Sequence, residues 1–294
     1  MQPTPFRYPL PQPIPHRPRP LPQVYAKRMT IALGVLARDG VVLAADTEYT
    51  WGYLKTSGEK IRSAEGACGA LAMAGAGDAG YLGAVCDDLV AEFQSYGKNV
   101  PVPRMKARFE GILVEFHKKH VVPYGDSSSV AFWLLLAFQR GRASYLWSTC
   151  NGAMMRRAPY ASIGLGCEYA DALLGQMFGD PAIGLNDVSL ASRVAAYAVH
   201  QTKENVQNCG KKTSLVILRG GTIIETSGSK LVLLNSYFGR YADIQRLGAR
   251  YALGFPYGDD EKATLNLMAY LRNLRIDMLD VNDLKFEGKT PDLE

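Results

Sequence analysis

The chain has 294 residues, of which 47% are hydrophobic and 21% charged, a balance that suits a folded body of one large domain or two small ones. Its net charge of +5 comes from its first 28 residues: taking Arg7, Arg17, Arg19, Lys27 and Arg28 from 33 basic residues leaves 28 against 28 acidic ones, so the body carries no surplus that would call for a nucleic-acid partner. No apolar run approaches the roughly 18 residues of a membrane helix, and the five scattered cysteines, with no Cys-x-x-Cys pair, argue for reduced thiols in the cytoplasm rather than a disulfide frame or a zinc site.

Residues 1–28 hold nine of the sixteen prolines and no acid. Such a segment is extended, cannot form a helix or a central strand, and lacks the apolar core of a secretory signal. It reads as a solvated tail, a polyproline ligand, or a leader that is removed or never made, because a start at Met29 followed by methionine trimming would expose Thr30. From Thr30 to Thr47 two apolar strands meet at Asp39-Gly40, a tight-hairpin signal that rests on glycine's tolerance of positive φ. A polar stretch follows from Glu48 to Arg62, then an apolar strand at Gly69–Ala74. Leu82, Val85, Leu89 and Phe93 recur at helical spacing, and a second helix is expected from about Arg104 to His120. Its His117 and His120 flank Lys118 and Lys119 and read as a solvated basic face; with His16 and His200 they make no metal pattern.

Val130–Phe138 reads as a strand covered on both faces, with Ala143–Thr149 as its partner and Asn151-Gly152 as a further hairpin signal. Helical patterns return at about Cys167–Phe178 and Asp187–Val206, and short strands Ser214–Leu218 and Thr222–Thr226 flank Gly220-Gly221. Strands, two helices, strands, two helices, strands: hairpins dominate, and two antiparallel sheets stacked face to face with helix pairs outside would bury every apolar face. Beyond Ser227 the pattern changes. A helix begun by Asp259-Asp260-Glu261 would align Leu267, Leu271, Leu274 and Met278, so residues 228–294 are expected to dock on the body or on a neighbouring subunit.

The hairpin starts at a hydroxyl, Thr30, ends at a carboxylate, Asp46, and is followed by an amine, Lys60. That is the inventory of a threonine nucleophile and its electrostatic support. The stretch resembles the start of a proteasome β-type subunit, an N-terminal-nucleophile (Ntn) hydrolase, and the resemblance runs from about Thr30 to Thr226. It implies an α+β fold, the four-layer αββα sandwich, over residues 30–227. It also implies that Thr30, at a free N-terminus, is the nucleophile and its own α-amine the base, with Lys60 and Asp46 in support. By the same match Gly75 in Met73-Ala74-Gly75-Ala76-Gly77 donates its N–H to the oxyanion, and Met73, Gly58 and Gly77 line the substrate pocket. Four positions depart from the family pattern. Leu165 stands where a serine supports the amine, Asn205 and Asn208 replace an aspartate and a serine, and Met29 replaces the glycine that precedes a self-cleaved bond.

A rival reading takes Gly75-Ala76-Gly77-Asp78-Ala79-Gly80 as a dinucleotide loop, but that requires a parallel strand after the next helix, and here the chain instead meets Val100-Pro101-Val102-Pro103 and another helix. The expected activity is therefore threonine-type cleavage of a peptide or protein substrate, without cofactor or metal and with no nucleic-acid or membrane partner. The expected assembly is a homo-oligomeric ring or spiral, and the resemblance allows for an ATPase partner. The alternative is a non-catalytic scaffold subunit of the same fold.

Overall fold

The computed structural model describes residues 30–51, 54–124, 132–150, 152–178, 187–226, 228–254 and 260–280. The proline-rich leader, Met29, Asn151, Asp259 and residues 281–294 lie outside the described residues. The first hairpin forms as expected, with β1 (Ile31–Ala37) against β2 (Gly40–Asp46) and Ala37 paired with Gly40. Its turn is Arg38-Asp39, so Gly40 is the first residue of the return strand. What requires glycine there is a close approach: a Cβ would lie 2.3 Å from the Leu218 carbonyl oxygen of the next strand. The polar stretch after Asp46 is not a loop. It folds into a small two-stranded sheet, β3 (Glu48–Trp51) and β4 (Leu54–Ser57), and leads into β5 (Ile61–Gly66).

Two five-stranded sheets form the centre. The first runs β10 (Tyr160–Gly164), β1, β2, β11 (Thr213–Arg219), β12 (Thr222–Glu225). The second runs β5, β6 (Gly69–Ala76), β7 (Trp133–Arg140), β8 (Ala143–Cys150), β9 (Ala153–Arg156). Every paired neighbour in both sheets is antiparallel. Helices α1 (Ala79–Gln94) and α2 (Val102–His120) cover the second sheet; α3 (Cys167–Met177), α4 (Val188–Asn205) and α5 (Gly228–Ala252) cover the first. The result is the αββα sandwich, an α+β fold. The glycine-rich loop after β6 enters α1 through the Asp78 cap, but β7 returns antiparallel to β6, which removes the dinucleotide reading.

Strand alternation sorts the core into three layers. Ile31, Leu33, Val35, Val42 and Ala44 pack against the first helical layer. Leu71, Met73, Leu134, Leu136 and Phe138 pack under α1 and α2. Between the sheets lie small side chains, among them Ala32, Ala45, Ala70, Ala72, Ala74 and Ala137, so the sheets approach closely. Gly34 belongs to this fit, because a Cβ there would sit 2.6 Å from Leu146 Cδ1. Gln139, fully buried on the central strand β7, ties the second sheet to two hairpin turns of the first. Its amide donates to the Asp39 carbonyl at 3.0 Å and its oxygen accepts from Gly221 N at 3.1 Å.

α5 falls within residues 228–294, where the one helix expected begins only at Asp259, and it packs into the first core. Leu231, Leu234 and Phe238 are buried in the first core, with Phe238 against Tyr197 of α4. α6 (Asp260–Asp280) packs on α5, joined by the Arg240–Asp277 ion pair at 2.7 Å. Of the expected apolar face, Leu274 is buried and Leu267 and Met278 partly so, while Leu271 is exposed. Among the described residues no helix is long and apolar enough to cross a membrane.

Cutting the chain after Thr226 should therefore uncover three core side chains, each contributing about 1.5–3 kcal/mol by burial. The urea midpoint of that truncation is expected to fall well below that of a chain ending at Gly254. Equal midpoints would show that α5 contributes nothing to the core.

Candidate active site

The site forms where four pieces of chain converge on one carboxylate. Thr30 enters β1, Asp46 ends β2, Lys60 precedes β5, and a turn at 206–212 joins α4 to β11. Asp46 is fully buried, and a buried charge is tolerated only when it is paired and hydrogen-bonded. Its Oδ1 accepts from Thr30 Oγ1 at 2.5 Å, Ile31 N at 3.0 Å and Lys60 Nζ at 2.7 Å. Its Oδ2 accepts from Glu48 N at 3.3 Å and Gly210 N at 3.1 Å. Lys60 Nζ also donates to Thr30 Oγ1. Hydroxyl, carboxylate and ammonium thus form one closed triangle, with Thr30 3% and Lys60 8% exposed.

Burial pulls the Lys60 pKa below that of a free lysine, and the Asp46 carboxylate opposes the shift. The Tyr49 ring lies over the ammonium, with Lys60 Nζ 5.1 Å from the ring centroid, and its hydroxyl donates to the Glu59 carbonyl at 3.0 Å. Two glycines admit the backbone of Thr30. Gly164, at φ +97°, could carry no Cβ, which would lie 2.2 Å from the Thr30 carbonyl oxygen. Gly166 N donates to that same oxygen at 3.3 Å. Cys209 lies beside the triangle, but burial pushes its thiol up to about 12, so it stays protonated and offers no competing nucleophile.

The other residues singled out by resemblance fall in different places. The register that pairs Ile61 with Ala74, carried one residue further, brings Gly75 level with Lys60 on the neighbouring strand. Met73 is fully buried under α1 and α2. Gly58 lies beneath the Tyr49 ring, where a Cβ would come within 2.8 Å of Cε2, and Gly77 adopts φ +130°. Leu165 is half-buried in the corner between β10 and α3. Asn205 is exposed, and its amide donates to the Gln201 carbonyl of its own helix at 2.8 Å. Asn208 takes φ +65° in the following turn.

Sequence reasoning missed three contributors. Gly210 acts through a backbone N–H, which no side-chain pattern marks. Glu48, 4% exposed and paired with Lys55 at 2.8 Å, fills the space a Cβ at Gly210 would need, and its place at the head of a polar stretch gave no sign of burial. Lys203 looks like an ordinary basic residue near a helix end. Among the described residues no group of three or more His, Cys, Asp or Glu is arranged to hold a metal ion.

Removing one partner of the buried pair leaves a charge uncompensated, so Asp46→Ala is expected to cost about 3–5 kcal/mol in urea denaturation. Asp46→Asn removes the carboxylate that holds the Lys60 pKa up. In an NMR titration of the Lys60 side chain its midpoint should fall further; an unchanged midpoint would mean that Asp46 does not act on the ammonium.

Residues 26–218 match the family model described as proteasome subunit. Proteasome subunit beta 1 of Thermococcus gammatolerans is 30% identical over 181 residues, covering 60% of this chain and 84% of that one. Among solved structures, Anbu (ancestral beta-subunit) from Yersinia bercovieri superposes with a TM-score of 0.60 at 14% identity, over 78% of this chain and 99% of that one. The helical assembly of the Anbu complex from Pseudomonas aeruginosa gives 0.58 at 15% identity, over 74% and 96%. These structural matches speak for the fold alone; the family-model match and the sequence relative establish that the chain belongs to the proteasome subunit family.

Proposed function

We propose that the protein is a cytoplasmic threonine-type hydrolase of the Ntn class that cleaves peptide or amide bonds, with Thr30 as nucleophile once the residues before it are removed. The observation that carries this reading is the buried triangle of Thr30, Asp46 and Lys60. A threonine hydroxyl is a weak nucleophile at neutral pH and needs a base within reach. The α-amine freed at Thr30 takes the hydroxyl proton, and Oγ1 attacks the substrate carbonyl carbon. The amine passes the proton to the leaving nitrogen, and water then cleaves the threonyl ester with the same amine as base. Lys60 stabilises developing negative charge on Oγ1 and, as a neighbouring cation, keeps the amine unprotonated near neutral pH. Asp46 keeps Lys60 charged and aimed. Gly75 N–H receives the oxyanion, and Met73, Gly58 and Gly77 border the substrate side chain.

The family relation also supports homo-oligomeric assembly, since one relative of the same fold is described as a helical assembly. A ring or spiral of copies, fed by an ATPase partner, follows the same reading. Light scattering at micromolar concentration should show a species larger than a monomer; a monomer would contradict assembly.

For the chemistry, protein beginning at Thr30 should turn over peptide substrates. Thr30→Ala and Lys60→Ala should each lose on the order of a thousandfold or more, because members of one catalytic unit are not additive. Lys60→Arg should not rescue, since the planar guanidinium does not fit the site of a compact ammonium. An inhibitor that closes a ring with the hydroxyl and α-amine of an N-terminal threonine should label Thr30. Protein that starts at Thr30 yet is neither labelled nor active would establish the scaffold reading instead.

A further inference from the structure

The 206–212 turn, which brings Gly210 N–H onto Asp46, is an expensive piece of backbone. Two of its non-glycine residues, Asn208 at φ +65° and Lys211 at φ +62°, occupy the left-handed region, which asparagine tolerates and lysine rarely adopts. Something must hold it. On its far side Lys212 N donates to Thr47 Oγ1 at 3.0 Å and Thr47 N donates to the Lys212 carbonyl at 3.0 Å, which fixes the turn to the residue after Asp46. On its near side the fastening is Lys203, in the last turn of α4. Its Nζ donates to Thr213 Oγ1 at 2.8 Å and to the Lys211 carbonyl at 3.3 Å. Thr213 is the residue that faces Asp46 across the β2–β11 ladder.

From this geometry we propose that Lys203 is a positioning residue for the reaction: its ammonium clamps the 206–212 turn so that Gly210 N–H holds Asp46 in register with Lys60 and Thr30. The inference rests on the Ntn reading above for its catalytic consequence, but not for the clamp itself. Asn205, on the exposed end of α4, spends its amide on Gln201, so the stabilising contact from this helix to the site comes from a residue two positions earlier. The charged groups acting on Lys203 are Asp46 from β2 and Glu204 from its own helix, and Lys203 acts in turn on His200. Half-buried, the ammonium therefore has a carboxylate near it and two neutral oxygens as acceptors.

Two readouts test the proposal. In Lys203→Met the stem is kept and the donors are lost. Amide hydrogen exchange at Gly210 and Lys212 should quicken at least about tenfold, while the β6–β7 amides keep their protection. In protein beginning at Thr30, kcat per labelled site should fall about tenfold or more with KM within about twofold, since a displaced Asp46 impairs the chemistry rather than the pocket. Lys203→Arg, which can still donate to two acceptors, should restore both exchange and kcat to within about threefold. Thr213→Val combined with Lys203→Met should be no worse than Lys203→Met alone, as expected of two ends of one contact. Unchanged exchange at Gly210 in Lys203→Met overturns the clamp, whatever the activity. Quickened exchange with unchanged kcat overturns the positioning role. If exchange quickens and even the unsubstituted protein turns over no substrate, it is the Ntn reading that has failed, and the clamp remains as a structural device.

Discussion

Everything around the site answers to one constraint, the charge of Asp46 at full burial. Moving a carboxylate out of water costs several kcal/mol unless its lone pairs are met. Here they are met by the Thr30 hydroxyl, Lys60, and the backbone N–H groups of Ile31, Glu48 and Gly210. Those donors come from the start of β1, the approach to β5, the corner into β3 and the turn before β11. One acidic side chain thus ties together segments as far apart in sequence as Ile31 and Gly210.

The sandwich is what makes that convergence reproducible. β1 and β2 lie inside the first sheet, so the hairpin that carries Thr30 and Asp46 is held on both flanks, by β10 and by β11. β5 is an edge strand of the second sheet, and the small alanine-rich layer between the sheets brings its entrance, with Lys60, within hydrogen-bonding distance of the first. A bulky residue in that layer would push the sheets apart and separate the ammonium from the carboxylate without touching either. The close glycine contacts at Gly34 and Gly164 serve the same end, one between the sheets and one at the Thr30 backbone.

Much of this was legible in the sequence, for identifiable reasons. The β1–β2 hairpin and the strands β6 and β7 are buried on both faces and so read as apolar runs. α1 shows its core face through Val85, Leu89 and Phe93. Thr30, Asp46 and Lys60 stood out because hydroxyl, carboxylate and amine bracket that hairpin. The β3–β4 sheet was illegible because β4 is exposed along its whole length and carries no alternation. β10 was missed as a five-residue edge strand that ends in glycine. α5 was hidden by Gly239 and Gly248, which interrupt its pattern, and by exposed Val232 and Leu233 beside the buried Leu231 and Leu234. The requirement for Gly40 was legible, but its cause was not, because the Leu218 carbonyl that crowds it lies on a strand more than 170 residues away. Gly210 and Lys203 act by a backbone N–H and by a tertiary contact, neither of which residue type or local spacing records.

The account stands or falls on whether the Thr30 amine becomes free, since that amine is the base it assigns to Oγ1. The most direct measurement is the intact mass of catalytically active protein from its native source, with its first residues sequenced. The account predicts a chain that begins at Thr30. Full activity in protein that still carries Met29 or the leader on Thr30 would contradict it.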